Sequence, residues 1–419
     1  MTDNTFLSAD GTPNRQSFLQ EFLSSGLPGR MLEEFKYTDL RSQIHEFPPL
    51  AREPSLKEAQ AVAALGGAFS SCEVCTITFV NGWYVHELSD LKHLSEGVTI
   101  QAWNDDVKCC QEKQNFNISG TDEDVLWKLN RDIAQAGVHV RIPAGVHVAR
   151  PLLVRYLSGQ ADCSCAHRCL VDVEEGASLT LLESIETQGN GVHFLNDVLE
   201  VRVGKGAQVT HVRWNDQNET SVVLSTFGCC LEEKAELKTW HVAKGGKISR
   251  HQIFCEYRGE NAVAQVRGAQ MLRGNQLIDT TLQMDHSKPG GVSRELFKTV
   301  VDEQAVGVFQ GKIIVKPHAQ KTDGQMMSAA LLLSEKAAMN NKPELEIYAD
   351  DVVCAHGATC GQLDAELLFY LMARGIPRKE AEALVLQAFL NESLEGIDSD
   401  CVVDELRAYI EQWLGERKV

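Results

Sequence analysis

A short turn motif returns along the middle of this chain at nearly constant spacing, and few folds tolerate such a period. IPAGVHV around Gly145, EEGASLT around Gly176, GKGAQVT around Gly206, EEKAELK around Lys234 and RGENAVA around Glu260 can be laid over one another, at steps of 31, 30, 28 and 26 residues. Each unit is an alternating strand, a polar tight turn and a second alternating strand. Repetition at that period marks a solenoid, whose units cannot bury an apolar face alone and stack on neighbours to share one. Helical periodicity is missing from Val138 onward through this region, so the stacked units read as a parallel β-helix. A β-sandwich is the competing reading of the alternation, and the regular turn argues against it.

The flanks read differently. The first ~60 residues carry a 3.6-residue apolar period in Phe18, Phe22 and Leu23 and a turn at Leu27-Pro28-Gly29. TITFVNGWYVH, residues 76–86, is two β-rich runs around Asn81-Gly82, a strong hairpin signal. A helix is expected from Asp122 to Ala136. Beyond Leu363 three apolar stripes predict amphipathic helices: Leu367, Leu368 and Leu371; Ala381, Leu384, Val385, Ala388 and Phe389; Leu406, Tyr409, Ile410, Trp413 and Leu414. These stripes are expected either to cap the end of the solenoid or to receive a partner. The expected domains are 1–136, helical with a small β-hairpin; 137–362, the parallel β-helix; and 363–419, helical.

Composition excludes several functions. With 43% apolar and 23% charged residues, and no apolar run approaching ~18 to 20 residues, the chain is not expected to enter a membrane. The N-terminus MTDNTFLSADGTPNRQ lacks the basic flank and apolar stretch of a secretory signal, so a cytoplasmic location is expected. A formal charge of −18 argues against nucleic acid as a partner. Thirteen cysteines, an odd number that includes Cys109-Cys110 and Cys229-Cys230, are read as reduced thiols. No G-x4-G-K-[ST] is completed by Gly204-Lys205-Gly206 or by GVFQGK at 307–312, and H-E-x-x-H and G-x-S-x-G are missing. Any ATP must therefore be hydrolysed by a partner.

Chemistry concentrates in EIYADDVVCAHGATCG, Glu346 to Gly361. Thiolate and imidazole suit iron, copper and zinc, and residues two apart on a strand share a side, so Cys354 and His356 could hold one ligand. This Cys-x-His-Gly-Ala-Thr passage resembles the signature of the SufB/SufD family, the paired scaffold subunits of the Suf iron-sulfur cluster assembly machinery, in its SufD-branch form. The resemblance extends through LPGRMLEEFKYTDL (27–40), KTDGQM (321–326), PELEIYADDV (343–352) and ARGIP (373–377), and covers nearly the whole chain.

The resemblance implies that Cys354 and His356 are the functional positions, with His356 facing a Cys of a SufB-type partner across the subunit interface. It implies that the C-terminal helices carry a SufC-type ABC ATPase, with Arg374, Gly375, Ile376 and Pro377 as docking candidates. A nascent cluster needs donors with open positions, because a closed four-ligand cage would retain the product. No cofactor is expected to be tightly bound in the isolated chain; the nascent cluster would be shared with the partner.

Other positions carry less weight. Cys255, in FCEYRGEN, matches a proposed cluster or sulfur ligand of the SufB branch and is kept as a lesser candidate, as is Cys360. Asp350 and Asp351 read as a solvated turn. Cys163, Cys165, His167 and Cys169 share one parity, but a run of ~20 Å is too long for one metal ion. Cys72 and Cys75 form a C-x2-C, a zinc half-site or redox pair with no second half.

The resulting expectation is a mainly β protein with helical ends, its core a right-handed parallel β-helix (solenoid) flanked by N-terminal and C-terminal helical domains. It would be a cytoplasmic scaffold subunit with no catalytic turnover of its own, and a homodimer is an alternative state when it is isolated. The rival is a carbohydrate-active β-helix enzyme, which would need paired carboxylates along a groove; the repeats offer no such cluster at matching positions.

Overall fold

The computed structural model describes residues 14–65, 67–104, 118–121, 123–159, 162–189 and 191–417. Cys109, Cys110 and Asp122 lie outside them. The N-terminal part supplies α1 (Arg15–Gly26), α2 (Leu40–Gln43), α3 (Leu56–Ala63), β1 (Cys75–Val80), β2 (Trp83–Tyr84), β3 (Thr99–Asn104) and α4 (Val125–Ile133). Asn81 and Gly82 both take positive φ, 52° and 83°, and close the β1–β2 hairpin with Val80 opposite Trp83. This is the primed turn that Asn-Gly predicts.

Eight two-strand coils follow. They begin with β4 (Ala136–Ile142), β5 (Leu152–Ser158), β6 (Cys163–Val173), β7 (Ser178–Thr187), β8 (His193–Val203), β9 (Gln208–Gln217), β10 (Val222–Leu231) and β11 (Glu236–Gly245). They continue with β12 (Ile248–Tyr257), β13 (Val263–Leu272), β14 (Leu277–His286), β15 (Val292–Val301), β16 (Val306–Val315), β17 (Asp323–Leu332), β18 (Ala338–Ile347) and β19 (Val353–Gly361). Even-numbered strands from β4 to β18 stack in parallel into a first sheet and odd-numbered strands from β5 to β19 into a second. The first sheet begins with β3, antiparallel to β4, and the second with β2 and β1, β1 running parallel to β5. The fold is the expected parallel β-solenoid with helices at both ends.

Stacking explains the composition of the strands. One inward position reads Val171, Val201, Cys229, Cys255, Met284, Ile313 and Leu345 through successive rungs of the first sheet. Small thiols here are core filling. The turns are welded in the same way. At Gly145, Gly176, Gly206, Lys234, Asn261, Gly290 and Lys321 φ lies between 56° and 72°. Each of these residues donates its N–H to a carbonyl of the next turn, from Glu175 for Gly145 to Asp351 for Lys321, at 2.6–3.0 Å. The fifth repeat is thus centred on Asn261, one residue past the expected Glu260, because Asn tolerates the left-handed conformation better than Glu.

Each sheet has its outer face covered by one end of the chain. Leu19, Leu27, Phe35 and Leu40, with Leu126, Leu129 and Ile133 of α4, pack on Ala166, Phe194, Leu224 and Ile248 of the first sheet. Here the 27–40 segment seals a buried ion pair: Arg250 bonds the Asp279 carboxylate, which also accepts from the Thr38 hydroxyl, and the Phe35 ring centre lies 4.0 Å from the guanidinium carbon. The C-terminal part is α5 (Ala365–Ala373), α6 (Arg378–Asn391) and α7 (Asp400–Gly415). Leu386, Leu390, Leu406, Ile410 and Trp413 pack on Trp214, Trp240, Leu153 and Leu182 of the second sheet.

Three expectations change. The C-terminal helices lie along the flank of the solenoid and do not cap its end. Within α6 the buried stripe is Ala381, Leu386 and Leu390, while Leu384 and Ala388 face out, and no residue of α5 is buried. The thiols are not all reduced: Cys72 is joined to Cys401 in a disulfide spanning 329 residues, and Cys75, the other half of the C-x2-C, is buried in the core. No helix among the described residues is long and apolar enough to cross a membrane.

Candidate functional site at the open end of the solenoid

The last rung of each sheet pairs on one side only, β18 with β16 and β19 with β17. Among the described residues, the far edges of both strands therefore present backbone N–H and C=O groups with no strand beside them. Large apolar residues crowd the same corner, where Ile347, Tyr348 and Val353 are exposed.

Cys354 and His356 sit on β19, on the side that faces inward on the rungs below. Cys354 lies opposite Gly324 and His356 opposite Met326, both buried in β17. Cys354 is half-buried against the core cluster, whereas His356 is exposed. Their separation along the strand is about 6.6 Å. Burial pushes the Cys354 thiol up; the backbone of Gly324 opposes this, and the charges of Asp323 and Glu295 reinforce it. In the chain alone this sulfur is a protonated thiol at neutral pH, awaiting a cation or a base to become a ligand.

The remaining candidates do not converge on this pair. Cys360 shares the side of Cys354, but about 20 Å along the strand, where its sulfur accepts from Asn341 Nδ2 at 3.4 Å. Cys255 is buried three rungs back in the other sheet, between Cys229 and Met284. Asp350 and Asp351 are exposed, and Asp351 is used structurally: its carbonyl completes the turn ladder and its carboxylate pairs with Lys321. Cys163, Cys165, His167 and Cys169 all line the interior of β6. Among the described residues, no three His, Cys, Asp or Glu side chains converge to hold a metal ion. Cys354 and His356 thus offer two donors, one soft and one borderline, on an edge that another chain could complete.

Two interior features escaped sequence reasoning. Glu295 of β15 stands in the same column as Met326 and His356, two strands behind the edge. It is buried, neither carboxylate oxygen has a hydrogen-bond partner, and burial pushes its pKa up to about 8 against a small pull from Ser293 and Arg294. Its inward parity in SRELFKT was the available signal. Deeper inside, Glu183 meets Arg213 Nη1 at 3.1 Å and His211 Nε2 at 2.9 Å. From His211 a relay runs through Thr239 and His241 to His251, in steps of 2.8–3.0 Å. It borders a cavity of about 20 Å³ lined in part by Asn215, Gln270 and Thr280, room for a single water.

A separate surface lies on α5 and α6. Leu367, Phe369, Tyr370 and Met372 of α5 and Leu384 of α6 are exposed large apolar side chains, a patch of the kind that receives partners. α5 stops at Gly375, φ +87°, where Gly375 N–H bonds Met372 O and Ile376 N–H bonds Leu371 O. That paired pattern is a Schellman cap, which fixes the ARGIP turn as a rigid corner. Arg374 is exposed and stacks on Tyr370 at 4.9 Å, Ile376 is half-buried, and Pro377 precedes α6.

Comparison with known proteins gives two family matches: "SUF system FeS cluster assembly, SufBD core domain" over residues 156–389 and "SufBD protein N-terminal region" over residues 12–154. Among similar proteins, the iron-sulfur cluster assembly protein SufD of Escherichia coli K12 is 32% identical over 414 residues, 97% of this chain and 94% of the relative. An iron-sulfur cluster assembly SufBD family protein of Synechocystis is 32% identical over 397 residues, covering 91% and 86%. The iron-sulfur cluster assembly protein SufD of Bacillus subtilis is 28% identical over 295 residues, covering 70% and 67%.

Proposed function

The chain belongs to the SufBD family, and on that premise we propose that it is the SufD-type scaffold subunit of a cytoplasmic iron-sulfur cluster assembly complex. The observation that carries this reading is the position of Cys354 and His356 on β19, a terminal strand with an unpaired edge. A SufB-type subunit adds its own strands to β18 and β19, satisfying their backbone groups by the hydrogen bonding that builds each rung. Ile347, Tyr348 and Val353 are buried in that contact. The partner's ligands meet Cys354 and His356 across the joint, and the nascent cluster is cargo held between the two chains.

A SufC-type ABC ATPase docks on the apolar surface of α5 and α6, around Arg374, Gly375, Ile376 and Pro377. The chain lacks a phosphate-binding loop of its own, so the ATPase supplies the energy and this subunit transmits its motion. Movement of the ATPases opens the shared interface, which requires two discrete arrangements of the joint. The chain supplies ligands and a lever, and turns over no substrate. Without partners the same open edge pairs with a second copy.

The test is co-expression with SufB-type and SufC-type partners, anaerobic purification, and measurement of bound iron and sulfide for the wild type, Cys354→Ala and His356→Ala. The expected result is an intact complex in all three, with iron and sulfide reduced by each substitution. Failure of the three chains to associate would overturn the partner assignment; normal loading in His356→Ala would overturn the site.

A further inference from the structure

Most described cysteines are buried in the solenoid and outside any disulfide; the exceptions to burial besides Cys354 and Cys360 are Cys72 and Cys401, half-buried and bonded to each other. Cys72 lies in the loop between α3 and β1. Cys401 is the second residue of α7. The bridge therefore joins the segment that enters the first rung of the second sheet to the last helix of the chain.

The surroundings of the bond make it a fastening at the rim of an interface. Phe69 from the loop is buried in the cluster that α7 makes with the sheet, and Cys72 and Val74 pack on its edge. Glu405, one turn along α7, accepts from Phe69 N at 3.0 Å, Ser71 N at 2.9 Å and Ser71 Oγ at 2.5 Å. Those bonds align the loop with α7, and with Tyr409 Oη at 3.4 Å four donors compensate the Glu405 charge. Cys401 lies in the first turn of the 16-residue α7, and its sulfur is 3.4 Å from the Ser71 hydroxyl.

We propose that Cys72–Cys401 is a reversible thiol–disulfide couple that locks the C-terminal helices onto the flank of the solenoid, opened by a dithiol reductant. One thiolate of the reductant attacks Cys72 Sγ and forms a mixed disulfide, and Cys401 leaves as a thiolate that takes up a proton. The second thiol of the reductant then attacks its own bound sulfur, releasing Cys72 as a thiol. Two electrons and two protons pass to the protein, and the reductant ends as a disulfide. Closure runs in reverse, with a low-molecular-weight disulfide such as oxidised glutathione reduced to two thiols. Opening leaves the loop and the first turn of α7 held by the Glu405 hydrogen bonds and the packing of Phe69, without the covalent tie, so local opening there becomes easier.

The experiment equilibrates the full chain anaerobically in glutathione buffers from fully reduced to fully oxidised, quenches in acid, alkylates, and maps Cys72 and Cys401 by peptide mass. Hydrogen exchange and thermal melting are followed in the same buffers. The expected result is that both cysteines switch together within the glutathione range, that oxidation raises the melting temperature, and that reduction speeds amide exchange in residues 67–74 and the first turn of α7 by about ten-fold or more. Cys401→Ser should behave as the reduced chain in every buffer; where that variant does not fold, the wild-type titration decides. Cysteines that remain free in oxidised glutathione, a bond that survives excess dithiothreitol in the native protein, or exchange and melting that ignore the redox state would each overturn the proposal.

Discussion

Cys354 lies directly opposite Gly324 on the final rung of the second sheet, with its thiol against the core and, among the described residues, no strand beyond it. A sulfur in this position is only partly shielded from water, half-buried against the core on one side. The pair therefore links the packing of the solenoid to the availability of its ligand.

That shielding has a kinetic signature. Burial holds the Cys354 thiol above its ordinary value of 9.0, so its thiolate fraction at pH 7.5 is below that of an unhindered thiol. Its alkylation by iodoacetamide, followed by peptide mass, should keep accelerating with pH beyond 9. An inflection below pH 8 would contradict the reading.

The α5 patch predicts a separation of stability from binding. Phe369 is 74% exposed and Tyr370 55%, so Phe369→Ser and Tyr370→Ser should change unfolding free energy by no more than about 0.5 kcal/mol. Both should reduce co-purification of the ATPase partner. Melting curves and pull-down yields measured side by side check the two halves of the prediction.

The solenoid interior makes the fold sensitive to acid. Burial holds His167 and His286 down to about 3, and holds His241 and His251 well below 6.5, so all four are neutral in the folded chain. Below pH 6.5 the unfolded chain binds protons that the folded chain refuses, and stability falls as pH falls. Each group contributes at most about 1.4 kcal/mol per pH unit. Glu183, which burial would raise but Arg213 and His211 hold down to about 2, adds a further loss between pH 4.5 and 2. Urea midpoints should drop steadily from pH 7 to pH 5.

Glu295 works in the opposite direction. Its pKa is pushed from 4.5 up to about 8, so the folded state keeps a proton that the unfolded chain releases, and stability is lost as pH rises between those values. Glu295→Gln should be nearly neutral at pH 4.5 and stabilising at pH 8, on the order of a few kcal/mol. Equal effects at both pH values, read from urea titrations, would show that this carboxyl is not held protonated.

The 27–40 segment seals the Arg250–Asp279 pair, both members fully buried. Arg250→Ala strands a buried carboxylate and should cost about 3–5 kcal/mol. Thr38→Val removes one hydrogen bond to that carboxylate and should cost about 1–2 kcal/mol. Denaturant unfolding of the two variants gives the order directly.

The sequence made the coils legible because each repeats one local event, a polar turn with a left-handed residue between alternating strands. At RGENAVA the register is less legible, because the left-handed residue is Asn261 and the glycine of the motif, Gly259, lies two residues before it. On α6 several apolar stripes fit the same helix, and the face buried is that which packs against α7, β13 and β15. That Cys354 and His356 share one side of a strand was readable from their spacing. Glu295 could have been suspected from its inward parity in SRELFKT, but its lack of a partner, and the Glu183 relay, depend on which side chains of neighbouring rungs meet it.

By itself, then, the sequence determined the period, the strands, the turns and the Cys-x-His pair, all properties of residues within about 30 positions of one another. Tertiary structure decided that the helices lie along the flanks, that Cys72 meets Cys401 across 329 residues, and that β19 is the last rung with its edge open. These depend on which distant surfaces exclude water together. Local propensity carries no information about that choice; packing of the stacked sheets makes it.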